Sequence, residues 1–457
     1  MKLVRRLLVR EAIVLALAAV VAGAPRAAEA ERIREIVVLE NYKTTSDTVR
    51  YVAGLSEGDD WDEDLKAEVR TELVSSGLFR DVELFAEPHP KGGVRLTIIA
   101  RDKHSWVIAP TFYNQPSNRG GGFGFGENNL LGRNKKLLLY GQAATGDSFF
   151  LGAYVDPSIM GTPLSFHIDS FLRYERVVEY QAPIKMLSDL EPVRESKLLY
   201  LNGGAKLGVT LFRSLTLAQR LRAAKVAYYR AALLEGMTEE DVGLEPGQAI
   251  PEPGTEGWDV STESQLTFDR RANWYGITRG ARVRLTFEHA LPGLGSDFDY
   301  WYATFNFELA QRYFVRHNLI IRGVLGYGDD LPFQQEFTSG GTTLRGYANK
   351  EFRGDAKAGG NIEYSIPIIT VKGVALRGLA FVDSAYTRFM DNLDDNTFRH
   401  YLPHHGRRGL APFRNAAGGG MRLYVRQIVL PLLGLDVGYG IESRGVEVYL
   451  AVGLTDF

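Results

Sequence analysis

The sequence predicts a mostly β protein: a transmembrane antiparallel β-barrel of sixteen strands, preceded by one small α+β domain. Three observations favour this fold class: an N-terminal export signal, sixteen segments in which apolar and polar residues alternate, and connections that alternate between long and short. The composition agrees, because 49 glycines, 24 phenylalanines and 22 tyrosines among 457 residues suit many strands and turns. Barrel strands alternate and so do not look strongly hydrophobic in sum. A large soluble β-protein can share this composition, so the pattern along the chain decides.

The charge and the residue types argue against several classes of function. The formal net charge of −2 argues against nucleic acid as the main partner. The chain has no cysteine, which removes any disulfide framework or thiolate metal site. Three of its eight histidines, His400, His404 and His405, cluster in one loop, where histidines mostly bind no metal. We therefore expect no metal, no cofactor and no catalytic constellation, and hence no enzyme.

Residues 1–30 have the features of a cleavable export signal. Four basic residues lie among the first ten, and residues 12–22 form an apolar run too short for a membrane-spanning helix. Ala28 and Ala30 place small side chains at the cleavage positions, so the mature chain is expected to begin at Glu31. An uncleaved anchor is the alternative. Because no other stretch approaches the length of a spanning helix, any membrane insertion must use strands.

Residues 31–101 predict one small α+β domain. The expected elements are, in order, a strand at 33–39, helices at 46–54 and 63–75, and strands at 81–85 and 93–100. Ser46 or Asp47 can cap the first helix and Asp62 the second. Val69 and Leu73 lie on one face of the second helix, as a helix packed on a sheet requires. About seventy residues are enough for such a domain.

Residues 102–457 are predicted to form the barrel. In the segment 300–311, apolar residues from Trp301 to Leu309 occupy the odd positions, and Tyr302, Thr304 and others the even ones. A period of two puts one face in lipid and the other in a polar interior. In water the same pattern would build a sandwich. The sixteen strands are expected to begin near Ser105, Gly120, Lys135, Phe149, Leu164, Lys197, Leu215, Val260, Ala281, Trp301, Leu319, Lys357, Val374, Ala417, Leu433 and Val446.

The connections between these strands differ in length from one side of the barrel to the other. With an even number of strands, both ends of the barrel sequence lie on the same side. The connections expected on the opposite side include the long ones, at 175–194, 231–259, 328–355 and 385–415. Long loops outside and short turns inside are typical of outer-membrane barrels.

One long loop is strongly acidic. Residues 234–257 contain seven carboxylates and no lysine or arginine. This acidity could serve to bind a cation or a partner outside the cell. A solvated, variable surface loop is the simpler expectation.

Another long loop contains the stretch around which the rest of the chain is organised. Its sequence is Gly340-Gly341-Thr342-Thr343-Leu344-Arg345-Gly346-Tyr347. Its glycines permit backbone angles that other residues avoid, so the loop can fold back tightly and present Arg345 on a short stalk. If the loop enters the barrel lumen, Arg345 needs an anionic partner, since a buried unpaired guanidinium is costly. Glu363 and Asp383, in the next two predicted strands, are the candidates.

This stretch resembles the lumen-inserted loop of the BamA/TamA-type outer-membrane assembly barrels. Four further passages resemble the same family: 124–132, 268–280, 360–367 and 381–385. The resemblance implies that Glu363 meets the loop arginine and that Asp383 is the second acidic partner. Ala385 stands where the family usually has glycine. The passage 76–82, together with the element order around it, resembles a POTRA domain, of which this chain has room for one.

The resemblance implies a function in inserting outer-membrane proteins or translocating polypeptides. The POTRA-like domain would lie in the periplasm and capture unfolded outer-membrane or secreted clients by strand addition, although it could instead only plug or orient the barrel. The first strand, from Ser105 to Tyr113, would meet the last, from Val446 to Phe457, at a seam that opens into the outer-membrane lipid. Periplasmic accessory proteins are further candidate partners. A passive channel or small-solute transporter on the same scaffold is the alternative, and a structural surface antigen a weaker one.

Overall fold

A computed structural model of the chain describes residues 31–115, 118–181, 191–212, 214–240, 244–274, 276–371, 373–390, 413–425 and 432–452. The expected export signal lies outside the described residues, as do Phe457 and the three clustered histidines. The chain divides into two compact units, Met1–Lys103 and His104–Phe457, two residues later than the boundary expected from the sequence. Within the described residues, none of the helices is both long enough and apolar enough to cross a membrane.

The N-terminal unit is a four-stranded sheet with two helices. Its elements are β1 (Glu31–Leu39), α1 (Ser46–Ala53), β2 (Asp60–Trp61), α2 (Glu63–Ser75), β3 (Phe79–Pro88) and β4 (Val94–Asp102). The strand order is β2-β1-β4-β3, with β1 parallel to β4. The two-residue strand β2 was not expected. Val49, Val69 and Leu73 are fully buried against the sheet, so both helices contribute to a single core.

The two helices begin at side-chain caps. Asp62 caps α2 as expected, because its Oδ1 accepts a hydrogen bond from the backbone N–H of Leu65 at 2.7 Å. For α1 the expectation was wrong by one residue: Thr45, rather than Ser46 or Asp47, accepts from the N–H of Thr48. Ser46 is already the first helical residue, so its position cannot supply the cap.

The second unit is a closed antiparallel barrel. Its strands are β5 (Trp106–Gln115), β6 (Asn118–Leu130), β7 (Lys135–Ala144), β8 (Asp147–Asp156), β9 (Leu164–Gln181), β10 (Glu191–Phe212), β11 (Leu215–Leu233), β12 (Gly257–Asp269), β13 (Ala272–Trp274), β14 (Ile277–Ala290), β15 (Trp301–Tyr313), β16 (His317–Asp329), β19 (Ala356–Val371), β20 (Val374–Arg388), β21 (Arg414–Val425), β22 (Leu433–Gly440) and β23 (Val446–Val452). The short strands β17 (Phe337–Ser339) and β18 (Phe352–Gly354) form a separate hairpin. The strands β12 and β13 both pair with β14 and count as one interrupted strand. The barrel wall therefore has sixteen strands among the described residues.

The sequence located these strands closely. Every barrel strand begins within six residues of its expected start, and the fold class is confirmed. In β14, Leu285 and Phe287 are 46% and 44% exposed, whereas Thr286 and Glu288 between and after them are buried. The apolar side chains therefore point outward, where a membrane barrel meets lipid, and the polar ones line the lumen.

Three strands are longer than expected. The strands β9, β10 and β11 have 18, 22 and 19 residues. About 9–11 residues are enough for a tilted strand to cross the hydrocarbon layer, so these strands continue beyond it. The loop expected at 175–194 is therefore mostly strand, since β9 runs to Gln181 and β10 begins at Glu191. Charged residues on both faces of the strand, such as Glu175 and Arg176, hid this stretch from a search for apolar residues at every second position.

The acidic loop is also more ordered than a solvated loop. Leu244 is 8% exposed and forms a small apolar cluster with the fully buried Val193 of β10. Glu252 Oε1 accepts a hydrogen bond from the N–H of Ala231 in β11 at 2.9 Å. In its described part, this loop packs on the long strands, because apolar residues are spaced among its acids.

Candidate functional site

The loop between β16 and β19 lies in the barrel lumen. Its stem is the β17–β18 hairpin, and its tip, residues 340–351, holds the Gly-Gly and Arg-Gly-Tyr residues. Gly340 has φ +123°, and a Cβ at this position would lie 2.1 Å from the carbonyl oxygen of Ala348. Only glycine fits there without strain. The loop contacts separated parts of the wall, from Asp383 in β20 to Asp259 in β12.

Arg345 is held by two carboxylates of the barrel wall. Its Nε donates to Asp383 Oδ2 at 2.8 Å and its Nη2 to Asp383 Oδ1 at 2.7 Å, a bidentate pair. Its Nη1 donates to Asp436 Oδ2 at 2.9 Å. The backbone N–H of Arg345 adds a bond to Asp383 Oδ2 at 3.1 Å. Arg345 is 4% exposed, so these acids replace the water that its guanidinium gave up.

The two carboxylates have further partners that complete the cluster. Both terminal nitrogens of Arg422 donate to Asp436, at 2.5 and 2.7 Å. Asn361 Nδ2 donates to Asp383 Oδ1 at 2.9 Å. The ring of Phe381 lies 3.2 Å from Cζ of Arg345. The positive charges of the two guanidiniums thus balance the negative charges of the two carboxylates. Buried charges are tolerated when they are paired in this way.

Glu363 stands farther from Arg345 than the sequence suggested. Its Oε2 lies 3.9 Å from Nη1 of Arg345 and 4.0 Å from Nη1 of Arg322, which is ion-pair distance but not a hydrogen bond. The second close partner is Asp436 instead. Sequence reasoning missed Asp436, although it is the only charged residue in the strand Leu433–Gly440. A lone charge among apolar and glycine residues was the available signal.

The loop tip also binds the last strand of the barrel. The hydroxyl of Tyr449, on β23, accepts from the N–H of Gly346 at 2.9 Å and donates to the carbonyl of Tyr347 at 3.3 Å. Tyr449 is completely buried. The hydroxyl of Tyr347 donates to Glu442 in the turn between β22 and β23. Burial alone raises a carboxyl pKa, but donors from Asn415 and Tyr347 hold the pKa of Glu442 below its ordinary value.

Glycines on β22 leave room for the loop. A Cβ added to Gly438 would lie 2.8 Å from the backbone carbon of Arg345, and one added to Gly440 would lie 2.6 Å from the carbonyl oxygen of Gly346. Side chains at these positions would push the loop tip away from the wall. The glycines of this strand therefore belong to the site, although they carry no chemistry.

This close approach gives a testable expectation. Gly438→Val should destabilise the barrel by on the order of 1–3 kcal/mol, because the loop must shift to accommodate the side chain. Urea unfolding of the purified protein in detergent micelles measures the change. Gly203→Val on β10 is the matched control, since a Cβ at Gly203 meets no atom within 4 Å. Equal losses of stability in the two variants would contradict the close packing of the loop tip against β22.

The barrel closes where β23 meets β5. Among the described residues this pairing has three residue pairs, Phe112 with Val452, Tyr113 with Ala451 and Asn114 with Leu450. The neighbouring β22–β23 pairing has seven. Of the expected seam residues, Tyr113 lies in this pairing, whereas Val446 pairs with Tyr439 of β22. Ser105 precedes β5, and its carbonyl accepts from the N–H of Asn128 at 2.7 Å.

Among the described residues, none matches the donor set of a metal site. No curated protein matches the chain. Solved structures with a similar fold include the following three. BamA from Haemophilus ducreyi lacking POTRA domains 1–3 is 17% identical, with 93% of this chain and 84% of that chain covered and a TM-score of 0.59. CdiB from Escherichia coli is 14% identical (93% and 77% covered, TM-score 0.62), and CdiB from Acinetobacter baumannii is 15% identical (93% and 74% covered, TM-score 0.56).

These identities are low and support the fold alone. The family evidence is independent of them and covers most of the chain. The Omp85 superfamily domain matches residues 129–432, which run from the end of β6 to the residue before β22 and include the whole lumen loop. The chain therefore belongs to the Omp85 superfamily of outer-membrane β-barrels.

Proposed function

We propose that this protein inserts or translocates polypeptide clients at the outer membrane, and that clients engage the barrel at the β5–β23 seam. The observation that carries the proposal is the short closing pairing. Three residue pairs join β5 and β23 among the described residues, and the first four residues of β23 pair with β22 but not with β5. Among the described residues, this closing pairing is shorter than those of β10 with β11 and of β19 with β20, and we place the opening of the wall there.

An open seam would act as a template for a client strand. Backbone N–H and C=O groups without partners are expensive in lipid, so a free strand edge is rarely tolerated there. When β5 and β23 separate, each offers such an edge to an incoming strand. Pairing with that edge satisfies the backbone of the client as it enters the membrane, which lowers the barrier to insertion.

The N-terminal unit supplies a place for initial capture. We place it in the periplasm, as a POTRA-like domain. Its strand β3 forms one end of the sheet and pairs, among the described residues, with β4 alone. Phe85 on this strand is 47% exposed and offers an apolar contact beside the free edge. Extended client segments and periplasmic accessory proteins are the partners that such an edge suits.

The lumen loop argues against a passive channel. Arg345 ties the loop to β20 and β22, and Gln335 ties it to Asp259 on β12, where Nε2 donates to Oδ2 at 3.0 Å. The loop thus crosses the lumen between distant parts of the wall. A loop held in this way narrows the path that a small solute would take through the lumen.

Depletion of the protein in its own cells, followed by quantitative proteomics of the outer membrane, tests the proposal. We expect specific barrel or secreted proteins to fall in abundance, because their insertion or export requires this barrel, and to recover when the full chain is restored. Depletion of an unrelated outer-membrane barrel is the control. An unchanged set of outer-membrane and secreted proteins, together with altered small-solute uptake, would contradict the proposal and favour a channel.

A further inference from the structure

The lumen loop has a second anchor on the other side of the seam. Lys350 Nζ donates to Glu175 Oε1, which lies on β9. Glu175 is 3% exposed, and Nη1 of Arg173 lies 3.7 Å from its other oxygen. Along the wall, β22 and β23 precede the seam, whereas β9 is the fifth strand after it. The same loop tip is therefore bonded to both sides of the closing pairing.

The chain between the two anchors is short and internally braced. Only four residues lie between Arg345 and Lys350 in the sequence. The N–H of Ala348 donates to Glu351 Oε2 at 2.7 Å, and the N–H of Gly341 donates to the carbonyl of Tyr347 at 3.1 Å. A movement of one anchor is thus transmitted to the other rather than absorbed by a slack loop.

The stem below the tip is braced in the same way. Nη1 of Arg353 donates to Glu336 Oε2 at 3.2 Å, across the β17–β18 hairpin. The guanidinium of Arg353 also lies 3.8 Å from the centre of the Phe333 ring. The loop consequently behaves as a stiff strap inside the barrel.

We infer that this strap restrains opening of the seam, and that the Lys350–Glu175 ion pair is the contact that releases it. Lys350 and Glu175 are thus positioning residues, and the inference rests on the proposed opening of the seam. Separation of β23 from β5 moves Tyr449 and Asp436 relative to Glu175, so one anchor must break. The Arg345 anchor has a bidentate bond and a second carboxylate, whereas Lys350 presents a single point charge. The lysine end therefore yields first.

A buried cysteine at the seam reports the opening directly. Ala451 is 1% exposed and pairs with Tyr113, and the chain has no cysteine of its own. Ala451→Cys in the full chain should react with a water-soluble maleimide only when the seam opens. Glu175→Gln and Lys350→Met, each added to this background, are expected to raise the initial labelling rate at least about fivefold, the lower end of common coupling strengths.

Two controls separate release of the strap from general loosening. Glu195→Gln removes a different ion pair of β9, in which Arg176 Nη2 lies 2.5 Å from Glu195, and should leave the labelling rate unchanged. Ala224→Cys on β11 is equally buried but far from the seam, and its labelling should not respond to Glu175→Gln. Heat-dependent gel mobility verifies that each variant is folded, and the isosteric Glu175→Gln decides the result if Lys350→Met does not fold.

Unchanged labelling of Ala451→Cys in folded Glu175→Gln would overturn the inference. An equal rise with Glu195→Gln, or at Ala224→Cys, would overturn it as well. Failure of the proposed function has a different signature, because the labelling assay contains no client. If the labelling assay shows the strap effect but depletion leaves every client in place, the proposed function is refuted. The inference about the strap still stands in that case.

Discussion

Arg345→Ala is expected to destabilise the barrel by about 3–5 kcal/mol, the usual effect of removing one partner from a buried ion pair. Asp383 and Asp436 are 1% and 0% exposed, and both would remain in place after the guanidinium is gone. Arg422 could still neutralise Asp436, whereas among the described residues the remaining side-chain partner of Asp383 is the neutral Asn361. Loss of the loop anchor would add to the loss of charge balance.

Unfolding in urea and heat-dependent gel mobility measure this effect. Arg345→Lys should give an intermediate loss, because a lysine cannot form the bidentate bond to Asp383. Arg322→Ala is the matched control, since Arg322 also lies on the lumen side but its side chain is 39% exposed and its nearest carboxylate contact is 3.5 Å. The N-terminal unit has its own buried core and should stay folded in every variant.

The two acids of the original sequence hypothesis are expected to differ. Asp383→Asn should cost far more stability than Glu363→Gln, because Asp383 accepts three bonds from Arg345 while Glu363 stands 3.9 Å away. Equal stability of Arg345→Ala and the parent protein, or equal effects of the two amide substitutions, would contradict the role assigned to this cluster.

The wall of the barrel could be predicted from the sequence because strand alternation is a local property. Residues such as Leu285 and Phe287 alternate with polar neighbours, so a run of a few residues is enough to assign the two faces of a strand. The helices of the N-terminal unit were predictable for a similar reason, since Asp62 and the apolar face of α2 lie within one short segment. Strand β2 was not predicted, because two residues are too few to show a periodic pattern.

The partners of Arg345 could be predicted only in part, because they depend on distant strands. Asp383 lies 38 residues after Arg345 and was found through its motif, whereas Asp436 lies 91 residues after Arg345. Its meeting with Arg345 depends on the register of four neighbouring strands and on space left by Gly438. The Lys350–Glu175 pair spans 175 residues and crosses the lumen, so no local pattern marks it.

A reversible lock on the seam tests the central claim most directly. Phe112 and Val452 are partners across the β5–β23 pairing, and Phe112 faces outward with 62% exposure. Cross-strand neighbours have Cβ atoms about 4.5–5.5 Å apart, so Phe112→Cys with Val452→Cys should form a disulfide on mild oxidation. The chain has no other cysteine to interfere. The control is Val437→Cys with Val448→Cys, a pair across β22 and β23 whose residues are 43% and 46% exposed.

The measurement is the yield of a folded client barrel, assembled from its unfolded form by the purified protein in lipid vesicles. We expect the oxidised seam variant to lose client assembly and to regain it when the disulfide is reduced. The oxidised control should assemble the client as well as the parent protein does. Full assembly activity with the seam covalently closed would contradict the claim that clients engage the barrel between its first and last strands.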